Sequence, residues 1–130
     1  MITVNKTAKT LEEGITNMTD SMVEDYGRNF GRSDNAEVKN KMWKEYADGF
    51  SNTTGKKFIK VVNGGGVKAF IVMKDFNILG WDKTAIACKF KKGDILKPAS
   101  WRAPALNQAR GNVLEGNYNI QWTGPLYLRG

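Results

Sequence analysis

The sequence predicts an α+β fold, with an N-terminal helical pair packed on a twisted antiparallel sheet or small partly open β barrel of five or six strands. Three observations predict it. Apolar residues recur at helical steps through residues 1–55, the period becomes two from residue 56 in runs rich in branched and aromatic side chains, and glycine-rich turns separate those runs. At 130 residues the chain makes a single domain, 1–130, with a helical part (1–55) and a basic β part (56–130).

Ile2 to Val4 reads as a short edge strand. Thr10 and Glu13 then form a capping box ahead of Leu11, Ile15, Met18, Met22 and Tyr26, which share one helical face and end near Gly27. Met18 and Met22 on that stripe read as core. The opposite face, with Glu12, Asp20 and Glu24, is acidic and unsuited to a polyanion. GRNFGR (27–32) is a connector. Asp34 and Glu37 form a second capping pair before Val38, Met42 and Tyr46, a stripe widened by Trp43, Ala47 and Phe50 that predicts a second amphipathic helix to about Ala47. Composition changes at SNTTG (51–55).

Lys57–Val62 and Val67–Met73 are predicted strands, joined by a turn through Asn63, Gly64, Gly65 and Gly66. Asp75–Lys83 reads as a loop carrying Phe76 and Trp81. Thr84–Phe90 is a third strand, with Ile86, Cys88 and Phe90 on one face and Lys89 on the other. At Lys92-Gly93-Asp94 a turn is expected, Gly93 left-handed and Asp94 bonding the backbone beyond the turn. One helical turn over Ala105–Ala109 would present Asn107, Gln108 and Arg110. Gly116-Asn117 turns the chain into Tyr118–Trp122, with Tyr118, Ile120 and Trp122 inward, and Leu126–Arg129 reads as a last strand.

Charge is distributed unevenly. Residues 1–55 hold seven Lys and Arg against nine Asp and Glu, net −2, whereas residues 56–130 hold thirteen against four, net +9. Such asymmetry points to an anionic partner such as nucleic acid, an acidic protein surface or anionic lipid. Lys89, Lys91, Lys92, Lys97, Arg102 and Arg110 crowd into residues 89–112 around Trp101, with Pro98 and Pro104 flanking the indole. Trp101 either offers a stacking face or plugs the core, and packing arguments lean to the second.

Subtraction narrows the chemistry. Cys88 is the single cysteine and histidine is absent, which excludes an intrachain disulfide, a Ser-His-Asp triad, a Cys-His dyad and a Cys/His zinc site within one chain. The back-half carboxylates, Asp75, Asp82, Asp94 and Glu115, are not spaced for acid/base or two-metal work. No catalytic residue, metal ligand or cofactor is therefore expected, and an enzyme is disfavoured. Neither a signal peptide nor a membrane-spanning run is legible.

The blocks GDILKPASWRAP, ARGN and WTGPLYL, with KKFIKVV and VKAFIV before them, resemble a family of small proteins encoded by tailed bacteriophages, T4-like marine ones among them. The likeness covers residues 56–129. It brings no established activity and no catalytic residues, and implies a viral product acting in the cytoplasm of the infected host or carried in the virion.

The sequence thus favours a non-catalytic protein that binds nucleic acid, single strands before duplex. Lys89, Lys91, Lys92, Lys97, Arg102 and Arg110 would neutralise phosphates, Trp101 would stack on a base, and Asn107 and Gln108 would add hydrogen bonds. No basic recognition helix is visible for duplex reading. The alternative is an interaction protein docking on an acidic surface of a host or viral protein, or a virion component, and a third reading is a pocket at the Trp101 and Arg102 loop that sequesters a small anionic nucleotide; a homodimer is compatible with the first two.

Overall fold

The computed structural model describes residues 1–29 and 36–126. Its class is α+β. Among the described residues nine strands and two helices follow in the order β1 (Ile2–Val4), α1 (Leu11–Asn29), α2 (Ala36–Asp48), β2 (Phe50–Thr54), β3 (Phe58–Asn63), β4 (Gly66–Val72), β5 (Phe76–Leu79), β6 (Ile86–Phe90), β7 (Ile95–Leu96), β8 (Tyr118–Gln121) and β9 (Gly124–Pro125). They form three antiparallel sheets, β2-β3-β4-β7, β1-β8-β9 and β5-β6, none closed into a barrel.

The four-stranded sheet is the centre, because both of its faces are covered. Val61, Ala69, Ile71 and Ile95 on one face pack with Ile15, Met18 and Met22 of α1 and with Val4, Tyr118 and Ile120 of the β1-β8-β9 sheet. Phe70, Val72 and Leu96 on the other face pack under the β5-β6 hairpin through Phe90, Phe76 and Ile78. Alternation along each strand produces this division. Each fully buried Ile or Met on the α1 stripe contributes about 1.5–3 kcal/mol of hydrophobic stabilisation.

Helix α1 starts as its sequence dictates. Glu13 N donates to Thr10 Oγ1 at 3.1 Å, while the Glu13 carboxylate accepts from Lys9 N, one residue earlier than a capping box requires. Inside α1, Asp25 is buried; its carboxylate accepts from Trp122 N and pairs with the Met1 amine. Trp122 O in turn accepts from Tyr46 Oη, whose ring stacks on Tyr26 at 4.3 Å. These bonds tie both helices to the end of β8.

Several expectations change. Of the α2 stripe only Tyr46 is buried, stacked on Tyr26 of α1, and Val38, Met42 and Trp43 are 49%, 42% and 44% exposed. Residues 50–54 form an edge strand, not a break, for polar threonine-rich segments suit a sheet margin. Phe76–Leu79 pairs with β6 where a loop was expected. No helical turn forms over 105–109; Arg110 N donates to Ile95 O and Val113 N to Gly93 O, so the chain runs extended beside β7. Asp34 and the expected strand at residues 127–129 lie outside the described residues.

The turn between β3 and β4 is as expected, with Gly64 at φ 60°, and two further turns are as well. Gly116 and Asn117 both have positive φ, 73° and 56°, and Gly93 has φ 93°, although Asp94 bonds back to the start of its turn and not beyond it, Oδ2 accepting from Lys91 N at 2.9 Å. The Gly93 turn rests on Asn112, whose amide donates to Lys92 O and Asp94 Oδ1 while its oxygen accepts from Leu114 N and Glu115 N. No helix among the described residues is long and apolar enough to cross a membrane.

Candidate nucleic-acid interface

Residues 97–105 leave β7 as a hairpin excursion. Ala105 N donates to Lys97 O, Pro98 bridges Pro104, and Ala99 N and Ser100 N both donate to Ala103 O. At its tip Ser100 Oγ accepts from Arg102 N and Ala103 N, a serine turn that fixes two neighbours at once. Trp101 is 52% exposed there, so it does not plug the core.

The tip meets the four-stranded sheet at Lys60. Lys60 is the cross-strand neighbour of Phe70, which pairs in turn with Leu96 of β7, and it therefore rises from the face that β5-β6 only partly covers. Its ammonium stands 4.6 Å from the Trp101 ring centroid and 5.9 Å from that of Phe70. A cation between two aromatic faces is held in place while keeping its charge.

Beside it lies a cavity of about 300 Å³ lined by Lys56, Lys57, Lys60 and Arg102, with Phe58 and Phe70 as apolar wall. Among the described residues no carboxylate lines it. Lys57 comes from the β2-β3 turn, where Met73 N anchors its carbonyl, and its ammonium lies 5.9 Å from the Phe76 ring. Four cations around one concavity repel one another and create a field that favours an anion.

Of the residues expected to make the site, only Arg102 lines this cavity; Trp101 reaches it through its ring contact with Lys60 and itself lines a separate hollow with Val67, Pro98, Ala99 and Ser100. Lys89 is exposed opposite Asn77 in the β5-β6 pair, outside this cavity. Lys91 pairs with Glu115 at 2.5 Å, and that hydrogen bond holds its pKa above the ordinary lysine value. Lys92 is exposed beyond Phe90, its amide donating to Asp75. Lys97 donates to Pro125 O at 3.0 Å, and burial, with the nearby Arg110 charge, lowers its pKa. Arg110 has Nε and Nη1 shielded from solvent without hydrogen-bond partners, and desolvation lowers its pKa. Asn107 and Gln108 are exposed, Asn107 Oδ1 accepting from Gln108 N and Asn107 O from Cys88 Sγ.

Lys56, Lys57 and Lys60 were not foreseen. A signal was present for Lys60: in KFIKVV it occupies the same strand face as Phe58, a lysine at a position patterned for the interior. Lys56 and Lys57 carried none, because only the β2-β3 pairing brings their turn to the Trp101 tip. No family model, curated protein or solved structure matches the chain.

Proposed function

We propose that the protein is a non-catalytic binder of nucleic acid, single-stranded for preference, that grips the strand through Lys56, Lys57, Lys60, Arg102 and Trp101. The observation carrying this reading is a cavity lined, among the described residues, by four cations and no carboxylate, with the half-exposed Trp101 indole over one of those cations, Lys60. Phosphates would take the cations, and an unpaired base would stack on the indole face that Lys60 leaves open. A duplex hides its base faces, so the stacking contribution is available to single strands alone. The resemblance of residues 56–129 to small proteins of tailed phages fits a product that meets nucleic acid in an infected cell or a virion. Fluorescence anisotropy with a twelve-nucleotide strand and the matching duplex tests it: tighter, salt-sensitive binding of the strand is expected, and binding of neither excludes the reading.

A second reading has its own observation. Val38, Met42 and Trp43 on α2, and Leu79, Trp81 and Ile86 at the β5-β6 end, are exposed apolar groups that a polyanion does not use. They favour a protein partner, with the basic cavity meeting its acidic surface. Capture that survives nuclease treatment would support this reading.

A further inference from the structure

The cavity holds more positive charge than a passing strand needs. An internal phosphodiester carries a single negative charge, whereas Lys56, Lys57, Lys60 and Arg102 all line one space of about 300 Å³, at the lower end of small-ligand sites. A groove that tracks a backbone spreads its cations along the path. Here they converge, and Trp101 closes over Lys60 at one side.

The geometry points to a terminal phosphomonoester as the group this cavity recognises, so that the protein binds the phosphorylated end of a single strand with the last base on Trp101. The inference rests on the strand-binding reading above and narrows it to an end. A monoester brings about −1.5 to −2 at neutral pH and three acceptor oxygens, which matches several converging donors better than a diester does. Lys60 plays a double part: its charge faces the phosphate, and its place against the indole sets the stacking platform at a fixed distance from that charge. The Ser100 turn holds Arg102 on the same tip as Trp101, so the base and phosphate contacts are built as one unit.

The test is a competition in fluorescence anisotropy among unlabelled strands of one sequence: both ends hydroxyl, 5′-phosphate, 3′-phosphate, and a covalently closed circle. A hydroxyl-ended strand one nucleotide longer controls for charge number. One phosphorylated end is expected to compete about tenfold better than the hydroxyl-ended, longer and circular strands, as one or two added charge-assisted contacts imply. Which end wins identifies the polarity. The preference should shrink at pH 5, below the second ionisation of the monoester near pH 6. It should disappear in Lys57→Ala and Arg102→Ala, each checked for folding by circular dichroism, and persist in Lys89→Ala. Equal competition by all strands overturns end recognition but leaves salt-sensitive strand binding standing. An end preference that survives in both cavity variants overturns the assignment to this cavity, and no binding of any strand overturns both readings.

Discussion

The Lys60 ammonium lies between the ring of Trp101, 4.6 Å away, and that of its cross-strand neighbour Phe70, 5.9 Å away. This contact joins the tip of the 97–105 hairpin to the middle of the central sheet, and it decides which cations of a basic half-chain act together. Removing either member should therefore weaken strand binding for different reasons.

Trp101→Ala is expected to cost about 1–3 kcal/mol of affinity through lost base stacking. Lys60→Ala should lose one phosphate contact and also the platform's anchor, worth about 0.5–1 kcal/mol at an exposed site. Lys91→Ala, whose side chain already answers Glu115, should leave affinity nearly unchanged. Parallel anisotropy titrations of the three variants check this order, and an equal loss in Lys91→Ala would count against it.

Asn112 closes four hydrogen bonds around the turn that launches β7. Asn112→Ala strands the buried Asp94 carboxylate without one of its donors and leaves two backbone amides unpaired. Urea unfolding should show a loss of about 3 kcal/mol, since each buried polar group left unsatisfied costs about 1–3 kcal/mol.

Gly14 reverses the usual expectation for a glycine inside a helix. Alanine there would gain about 1 kcal/mol of helix propensity, but its Cβ would sit 2.6 Å from Val113 O, a backbone atom that cannot swing aside. Gly14→Ala should lower the urea midpoint because the clash between α1 and the segment after Asn112 outweighs propensity.

Tyr118 has a buried hydroxyl with no hydrogen-bond partner, and burial raises its pKa. The folded state thus holds this proton more tightly than the unfolded chain does. Its contribution to stability is complete below the unfolded tyrosine value near pH 10 and is lost as pH rises above it. Tyr118→Phe should leave stability at pH 7 unchanged or higher and should flatten the fall above pH 10, measured by urea unfolding across pH.

Much of the fold was legible because local rules agreed with the global answer. Leu11, Ile15, Met18, Met22 and Tyr26 marked α1, and of these Ile15, Met18, Met22 and Tyr26 are buried; Gly64, Gly93, Gly116 and Asn117 marked turns by the positive φ they adopt. Helix α2 was placed well, but its stripe did not predict burial, as periodicity says that a face is apolar and not that anything covers it. Strands β2 and β5 escaped because SNTT is polar and FNIL lies among turn residues. The site escaped in part for a topological reason. Proximity along the chain suggested that Lys89 to Arg110 act together, whereas the order β2-β3-β4-β7 sets Lys56, Lys57 and Lys60 beside Trp101 and Arg102 and leaves Lys91 and Lys97 to Glu115 and Pro125.

The most direct measurement is the slope of log affinity against log salt for a twelve-nucleotide single strand, taken for the wild type and for the Lys57→Ala, Lys60→Ala, Arg102→Ala triple variant. With four cavity cations engaged, the wild-type slope should be about −3, and the variant's should be shallower by about 2. An equal slope in the two proteins, or no salt-sensitive binding by the wild type, would contradict strand binding at this cavity.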